Sequence, residues 1–454
     1  MRSRRFAVAA FVLCWLGVSA WAQTPPATQS APTPPLPVQS KGTSLPTIEV
    51  TIKRAKPHAA KPKSKPVPTT SAPPPVSPYV SGAPNVAGGP AVAPSMASQM
   101  TVSGQDLNER AVTRPGEILE AAPGLAVVAH ADGGKANQYY LRGYNLDHGT
   151  DLAIFVDDMP INLPTHAHGQ GYADLNWLMP ETVSSLNIRK GPYFADVGDF
   201  ATAGSLFLNL RDSVDKNIVS VTAGSFDYQR YFTMGSAKLG GGSLLYAGET
   251  NLYDGPWATP DDMKKFSGLL RYSQGTSTDG FSASAMAYSN TWTTTEQEPL
   301  RAIETGQIAL YGEINPTDGG DTSRYSLSAR MAQSDGDGSW KANAYLVKYE
   351  MDLYNDFTWF LTDPVNGDQF RQHDNRVYGG AGASRTVDGT LFGRPTETVF
   401  GFQSRYDDID IVLNNTVARQ FLSSILDDRI DEGNVGIYAE NTVHWTDWLH
   451  TTAG

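Results

Sequence analysis

The residues best suited to bind a ligand lie close together in the sequence. Four of the eight histidines fall within about 45 residues, beside two aspartates and a tyrosine. Imidazole and carboxylate groups are ligands that zinc, copper, nickel and iron accept in proteins. The sequence therefore offers a candidate metal or metal-chelate site among His130, Asp147, His148, His166, His168, Tyr172 and Asp174.

Two interpretations of these histidines remain open. Residues 164–172 carry no apolar periodicity and are predicted to form a loop. The two histidines of this loop, His166 and His168, are the candidate metal pair. The other candidate ligand-binding residues are His130, His148 and Tyr172. However, a His-x-His pair is too short and too common to identify a metal site. The alternative, which we favour at this stage, is that the histidines hydrogen-bond a loop to polar surroundings.

A small α+β domain is predicted to position these residues. Residues 113–122 predict a short helix, which Pro123 and Gly124 end. Glycine and proline separate the short segments that follow, and four of these predict strands. The predicted strands are 125–128, 138–141, 153–156 and 185–188.

From residue 213 onward the sequence predicts long antiparallel strands. Segments of about ten residues alternate in polarity, and turn residues separate them. Tyr325, Leu327 and Met331 share one face of such a segment, whereas Arg324 and Ser326 share the other. About ten such segments precede Gly454, and the last of them is expected to stop before the sheet closes. A soluble sandwich would alternate in the same way, but the aromatic strand ends and the length of the strands favour a transmembrane barrel.

The N-terminus predicts export. Positive charges at 2–5 precede an apolar run of signal-peptide length at 6–18, and small residues at 20 and 22 predict cleavage after Ala22. The only cysteine, Cys14, lies in this predicted signal peptide of residues 1–22. The mature chain is therefore expected to lack disulfides and cysteine-based metal sites.

Residues 23–99 predict a disordered linker, since proline, alanine and lysine dominate and large apolar residues are rare. One segment inside it, residues 45–52, alternates like a short strand. A lone strand becomes stable only by pairing with the sheet edge of another protein.

Charge and motifs exclude several functions. The formal net charge of −12 disfavours nucleic acid as a partner. No stretch approaches the 18 apolar residues of a transmembrane helix. The sequence contains neither His-Glu-x-x-His nor Gly-x-Ser-x-Gly, and Gly133-Gly134-Lys135 lacks the spacing of a P-loop. We therefore expect neither an enzyme nor a resident cofactor.

Five segments in order resemble the plug domain of TonB-dependent outer-membrane receptors. They include an Arg-Gly segment, an aromatic-x-Asp strand and turn, an Arg-Lys-Gly-Pro segment and a closing Gly-rich strand. Asp158 and Ser205 stand where the family usually has glycine. The five segments are 114–125, 141–145, 155–160, 188–192 and 203–209.

The resemblance implies a domain order and structural residues. It implies a plug at 100–212 and, at 213–454, the N-terminal part of a transmembrane β-barrel that has 22 strands in the family. Segment 45–52 is similar to the TonB box, which implies that TonB pairs with Thr47, Ile48, Glu49, Val50 and Thr51. Plug arginines in this family often pair with barrel carboxylates. The predicted structural residues of the plug are Arg142, Gly143, Arg189, Gly191 and Pro192.

The function that the resemblance implies is TonB-dependent uptake across the outer membrane of a Gram-negative bacterium. The N-terminus would be periplasmic, and the chain would be a monomer in contact with outer-membrane lipid. The cargo class is a small extracellular ligand, with an iron–siderophore or another metal chelate first. The alternatives are uptake of cobalamin or an oligosaccharide, and a passive porin-like channel.

Overall fold

The computed structural model describes residues 98–129, 133–293 and 297–454. The predicted signal peptide, almost all of the predicted linker, segment 45–52 and His130 lie outside these described residues. Within them, no helix has the length and apolar character needed to cross a membrane.

The first part of the described chain folds as a small α+β domain, which we call the plug. Its largest sheet has the strand order β1-β7-β8-β5-β6, and β2-β3-β4 form a second sheet. Ile118, Ile154 and Leu186 are fully buried in its core. The elements are β1 (Gln99–Ser103), α1 (Gly104–Asn108), a 3₁₀ helix (Pro115–Ala121), β2 (Leu125–Val128), β3 (Gln138–Leu141), β4 (Tyr144–Asn145), β5 (Leu152–Val156), β6 (Met159–Pro160), a 3₁₀ helix (Pro180–Thr182), β7 (Val183–Lys190) and β8 (Gly204–Leu210).

The helix predicted at 113–122 is a 3₁₀ helix and not an α-helix. Pro115 begins it and Pro123 follows it closely, which leaves too few residues to offset the cost of nucleating an α-helix. The Glu117 carboxylate accepts the backbone N–H groups of Thr113 and Arg114 at 2.7 and 3.1 Å, which fixes the start of the helix.

The second part is one antiparallel sheet of eleven strands, which we call the wall. Each strand pairs with its neighbours in sequence from β9 to β19. The sequence predicted about ten strands here. The elements are β9 (Ile218–Ala223), β10 (Gln229–Leu239), β11 (Gly242–Tyr253), β12 (Met263–Gly275), β13 (Gly280–Trp292), α2 (Leu300–Glu304), β14 (Gly319–Asp335), β15 (Gly338–Asn355), β16 (Phe370–Leu391), β17 (Arg394–Val417), β18 (Gln420–His444) and β19 (His450–Ala453).

The two ends of the wall differ. At one end, which we call the short-turn end, two to five residues connect neighbouring strands, as at 240–241 and 336–337. At the other, which we call the long-loop end, three of the five connections are longer, at 254–262, 293–318 and 356–369, whereas 224–228 and 418–419 are short. Such a difference in loop length is typical of transmembrane β-barrels.

The plug covers the polar face of the wall. On β14, Tyr325 and Leu327 are more than half exposed, whereas Arg324 and Ser326 of the opposite face are only 5% and 6% exposed. The predicted division of this strand into two faces is therefore confirmed. Its physical reason is that an apolar outer face and a polar face toward the plug alternate along each strand.

Candidate functional site

Two plug loops bring the histidines together near the long-loop end of β15 and β16. His148 follows β4, and His166 and His168 lie in the loop that the Leu163–Tyr172 bridge closes. The buried Asn162 amide joins the two loops, since it donates to the carbonyl oxygens of Gly149 at 2.9 Å and Gly171 at 3.1 Å. These are local backbone contacts, so the plug itself assembles the cluster.

His166 is committed to the wall. Its Nδ1 accepts the backbone N–H of His168 at 3.1 Å, so its Nε2 carries the proton and faces the Tyr349 hydroxyl at 3.2 Å. The Asp374 carboxylate lies 3.7 Å from the same nitrogen. Burial lowers the pKa of His166 to about 3, and Asp374 opposes this effect. His166 and His168 therefore do not form the chelating pair that the sequence suggested.

Two other imidazoles, those of His148 and His168, face each other. His148 Nδ1 lies 3.1 Å from the carbonyl oxygen of Asn137, so it donates its proton there. The side-chain amide nitrogen of Gln372 donates to the Ala167 carbonyl oxygen. This contact orients the side-chain oxygen of Gln372 toward His168 Nδ1, at 2.9 Å. Both rings therefore carry their proton on Nδ1. Their unprotonated Nε2 atoms lie 3.1 Å apart.

This arrangement matches two ligands of one metal ion. Two metal–nitrogen bonds of about 2.0–2.1 Å at a tetrahedral angle place the nitrogens about 3.3–3.4 Å apart. Carbonyl partners on the outer Nδ1 atoms are the usual orienting contacts of metal-bound histidines. The Asp147 carboxylate lies 3.8 Å from His148 Nε2 and is half exposed. Burial, and then the nearby Lys135, keep the pKa of His168 well below its usual value.

Tyr172 supports the cluster by packing. Its ring stacks on His166 at 4.0 Å between centroids and 8° between planes. Its hydroxyl accepts the Ala136 backbone N–H at 2.7 Å and donates to the Met351 sulfur at 3.6 Å. Because the hydroxyl is buried and bonded on both sides, it offers no group to a ligand.

The predicted structural residues lie elsewhere in the plug. Arg142 and Gly143 are the central residues of the β3–β4 turn, with φ of 53° and 85°, so the glycine suits a turn that needs positive φ twice. Gly191 also has a positive φ, of 83°, and Pro192 follows it. The Arg189 guanidinium pairs with Asp196 of the plug itself at 2.9 Å.

The ion pairs between plug and wall have the opposite polarity to the expected one. The sequence led us to expect plug arginines on barrel carboxylates, whereas wall arginines contact acidic residues in or just after the plug. Nothing in the sequence around these carboxylates marked them as partners of the wall arginines, apart from the position of Asp157 in a turn motif. The pairs are Arg271–Asp157, Arg271–Asp212 (3.0 Å), Arg330–Asp157 (3.3 Å) and Arg230–Glu181 (2.7 Å).

A second group of possible metal ligands lies on the outer face of the wall. Ligand atoms of Glu350, Asp352 and His373 all lie within 4.8 Å of one another. They share that face with the exposed Leu346, so they point away from the plug. Arg371 contacts the Asp352 carboxylate, and His373 Nδ1 lies 3.0 Å from the same carboxylate. Ion pairs with Asp352 therefore hold this group together.

Comparison with known proteins identifies the domain. Residues 92–205 match the family described as TonB-dependent Receptor Plug Domain. No curated protein sequence matches the chain significantly. The chain is similar to the solved structures of the copper transporter OprC (16% identity, TM-score 0.57), the unliganded ferric citrate transporter FecA (11%, 0.60) and the ferric-catecholate import receptor Fiu from E. coli K12 (14%, 0.58).

These similarities cover most of this chain and about half of the others. The match spans 77%, 76% and 79% of this chain, and 53%, 54% and 58% of the three solved chains, respectively. At these identities the likeness shows the fold. Residues 92–205 therefore carry a plug domain like that of TonB-dependent receptors, an antiparallel wall like the barrels of these solved structures follows it, and the resemblance of the plug and the predicted fold class are confirmed.

Proposed function

We propose that this chain is part of an outer-membrane receptor that imports a metal ion or metal chelate, such as an iron–siderophore, with energy transmitted by TonB. The observation that carries the choice of cargo is the facing pair of His148 and His168 Nε2 atoms, 3.1 Å apart beside Asp147. Imidazole nitrogens with a carboxylate suit zinc, copper, nickel and iron, and do not suit calcium or magnesium.

The outer face of the wall supports the membrane location. Apolar side chains are exposed there along successive strands, and lipid is the environment that such a face requires. When the apolar face lies in lipid and the short turns lie on the periplasmic side, the histidine cluster lies toward the cell exterior. The exposed residues include Val219, Leu270, Leu327, Leu346 and Ile437.

The contacts between plug and wall support active rather than passive transport. The buried Arg271 and Arg376 of the wall both bind the plug, Arg271 through Asp157 and Arg376 through the Thr165 carbonyl. Removing one partner of such a buried charge typically costs about 3–5 kcal/mol. Opening this interface therefore needs an energy input, which strand pairing of residues 47–51 with TonB would transmit.

Deletion of residues 45–52 tests this proposal in cells. The complete receptor is expressed in a strain that lacks other uptake routes, and accumulation of labelled metal chelates is measured. The deletion is expected to abolish accumulation and to leave surface binding intact. Deletion of residues 66–73, also eight residues of the linker, is the matched control and should leave both unchanged. Accumulation that persists without residues 45–52 would instead indicate a passive channel.

A further inference from the structure

The turn between β17 and β18 lacks the glycine that its conformation favours. Its two central residues, Ala418 and Arg419, have φ of 46° and 63°, so both are left-handed. In two other two-residue turns of the wall the second residue is a glycine, Gly241 or Gly393, which adopts this conformation without strain. An arginine at this position is strained, and such strain persists where other contacts of the residue outweigh it.

Two long loops lie beside this turn. The loop at 293–318 contains α2, and we call it the α2 loop; the loop at 356–369 leads into β16, and we call it the β16 loop. The Asn315 side-chain amide of the α2 loop donates to the Asp356 carboxylate of the β16 loop at 3.2 Å. The two loops are therefore in contact with each other.

Arg419 bonds both of these loops. Its backbone N–H donates to the side-chain oxygen of Gln369, the last residue of the β16 loop, at 2.8 Å. Its guanidinium donates to the carbonyl oxygens of Thr317 and Asp318, the last residues of the α2 loop, at 2.6 and 3.0 Å. The same guanidinium lies 5.1 Å from the centroid of the Tyr354 ring. One residue of the wall thus joins the ends of both loops.

Gln369 completes this junction. Its side-chain nitrogen donates to the Thr317 hydroxyl at 2.9 Å and to the Asp318 carboxylate at 2.8 Å. Its side-chain oxygen also accepts the Thr416 hydroxyl of β17 at 3.0 Å. The Gln369 side chain is buried, and each of its two polar atoms makes two hydrogen bonds. Hydrogen bonds that are sheltered from water in this way hold the loop ends in one arrangement.

The β16 loop is also braced internally. The Asp368 carboxylate accepts the backbone N–H groups of Leu361, Thr362 and Asp363 at 2.9, 2.9 and 2.7 Å. It also accepts the Thr358 hydroxyl at 2.7 Å. Because these bonds lie within the loop, they favour movement of the loop as one body, and its attachment to Arg419 then controls that movement.

The β16 loop extends to the plug beside the histidine pair. The Phe357 ring lies 5.8 Å from the Nζ atom of Lys135, a buried residue of the plug. The charge of Lys135 in turn acts on His168. Movement of this loop would therefore alter the surroundings of the histidine pair.

We propose that Arg419 clasps the α2 loop and the β16 loop into one lid beside the plug, and that this lid limits the rate at which ligand enters and leaves the histidine site. The clasp can open, because the acceptors of Arg419 are neutral oxygens of loop residues and not a carboxylate. Both loops are released together, because the bonds to both come from one residue. The gating of ligand rests on the proposed function, whereas the joining of the two loops does not.

Glycine at position 419 separates the clasp from the turn. Arg419→Gly removes the guanidinium but suits a positive φ, so the β17–β18 hairpin should fold at least as well as in the wild type. Ala418→Gly is the matched control, because it relieves strain in the same turn and keeps the guanidinium. Hydrogen exchange of the complete receptor in detergent, followed by mass spectrometry, is measured for the wild type and both variants.

In Arg419→Gly the hydrogen-bonded amides of both loops are expected to exchange at least about tenfold faster, because their opening no longer breaks the guanidinium bonds. Exchange in β17 and β18, and in both loops of Ala418→Gly, should remain within about threefold of the wild type. Faster exchange in neither loop, or in only one, would overturn the joint lid. Faster exchange throughout β17 and β18 would also overturn it, because Arg419 would then hold the hairpin and not the loops.

Ligand exchange tests the gating role. Binding and release of Cu²⁺ and of ferric citrate are followed by tryptophan fluorescence in the wild type and in Arg419→Gly. A lid that only limits access should, when removed, raise both rates at least about threefold and leave Kd within about twofold. Unchanged rates, or a change in the release rate alone, would overturn the gating role. A wild type that binds neither probe refutes the proposed function, and hydrogen exchange still decides whether Arg419 joins the loops.

Discussion

At the residue scale, the three histidines differ in which ring nitrogen carries the proton: Nε2 in His166, and Nδ1 in His148 and His168. The sequence identified His148, His166 and His168 as a group, because they lie in polar loops of one domain. It did not show which nitrogens meet, because that depends on Tyr349 and Gln372, which lie 183 and 204 residues from their histidine partners. Those contacts commit His166 to the wall and leave the other two Nε2 atoms facing each other. Asn137 and Gln372 act as positioning residues for these two rings.

The role of Gln372 gives a prediction. Gln372→Ala removes the acceptor that holds His168 in its Nδ1–H form, so metal affinity should fall by about 10–100-fold. The change is measured by competition with a chromogenic chelator. His444→Ala, at the end of β18, is the control and should leave the affinity unchanged. An unaltered affinity in Gln372→Ala would show that this contact does not orient a metal ligand.

The buried Asp174 gives a second residue-scale prediction. Burial raises its pKa to about 7, an effect that hydrogen bonds from Asn176 and the charges of Arg324 and Lys265 oppose. Its ordinary pKa of 3.8 applies to the unfolded chain, so the folded state binds the proton more tightly. Its contribution to stability is therefore complete below about pH 4 and is lost as the pH rises through 7.

Asp174→Asn should remove this pH dependence. At pH 8 the variant should be more stable than the wild type, by up to about 4 kcal/mol for a shift of three pKa units. At pH 4 the two proteins should differ little. Urea unfolding in detergent, followed by near-ultraviolet circular dichroism at both pH values, measures this difference. A variant that is less stable at pH 8 would show that the ionised carboxylate is needed there.

At the element scale, the β5–β6 turn joins the plug to the wall. Asp157 and Asp158 have φ of 48° and 64°. This left-handed conformation favours glycine, above all at the position of Asp158. The Asp157 carboxylate is 4% exposed and contacts Arg271, and it also accepts the backbone N–H of Leu210 at 3.0 Å. In contrast, the Asp158 side chain is 54% exposed, and its contact with Arg330 is long, at 3.9 Å. The two neighbours therefore differ greatly in what they stabilise.

Substitution of each aspartate should separate these effects. Asp157→Ala leaves the buried Arg271 without its closest partner and should destabilise the protein by about 3 kcal/mol. Asp158→Gly removes the strain of a side chain at positive φ and should be neutral or stabilising by about 1 kcal/mol. Thermal unfolding of the two variants in detergent measures both changes. Equal destabilisation by both would contradict the assignment of the anchoring role to Asp157.

The elements were predictable where the signal is local. Alternation along 323–333 predicted which residues of β14 face outward, and the strands at 125–128 and 138–141 have the predicted bounds. Local turn residues did not reveal that Pro115 would lead into a 3₁₀ helix.

At the scale of the whole molecule, polar residues gather at the interface between plug and wall. The outer face of the wall exposes apolar side chains, while its inner face presents arginines and amides to the plug. This interface contains directly bonded contacts near β16 and β17. The histidine pair lies beside these contacts.

We propose that the plug holds a metal ion through His148 and His168, and calorimetric titration of the purified complete receptor tests this binding. Copper, zinc and ferric chelates are titrated into the wild type, His148→Ala, His168→Ala and the control His444→Ala. We predict a single site in the wild type and the control, weakened at least about 100-fold in the other two variants. Binding of equal strength in all four proteins would contradict the claim and place the ligand elsewhere. No binding in the wild type would show that the facing imidazoles are structural.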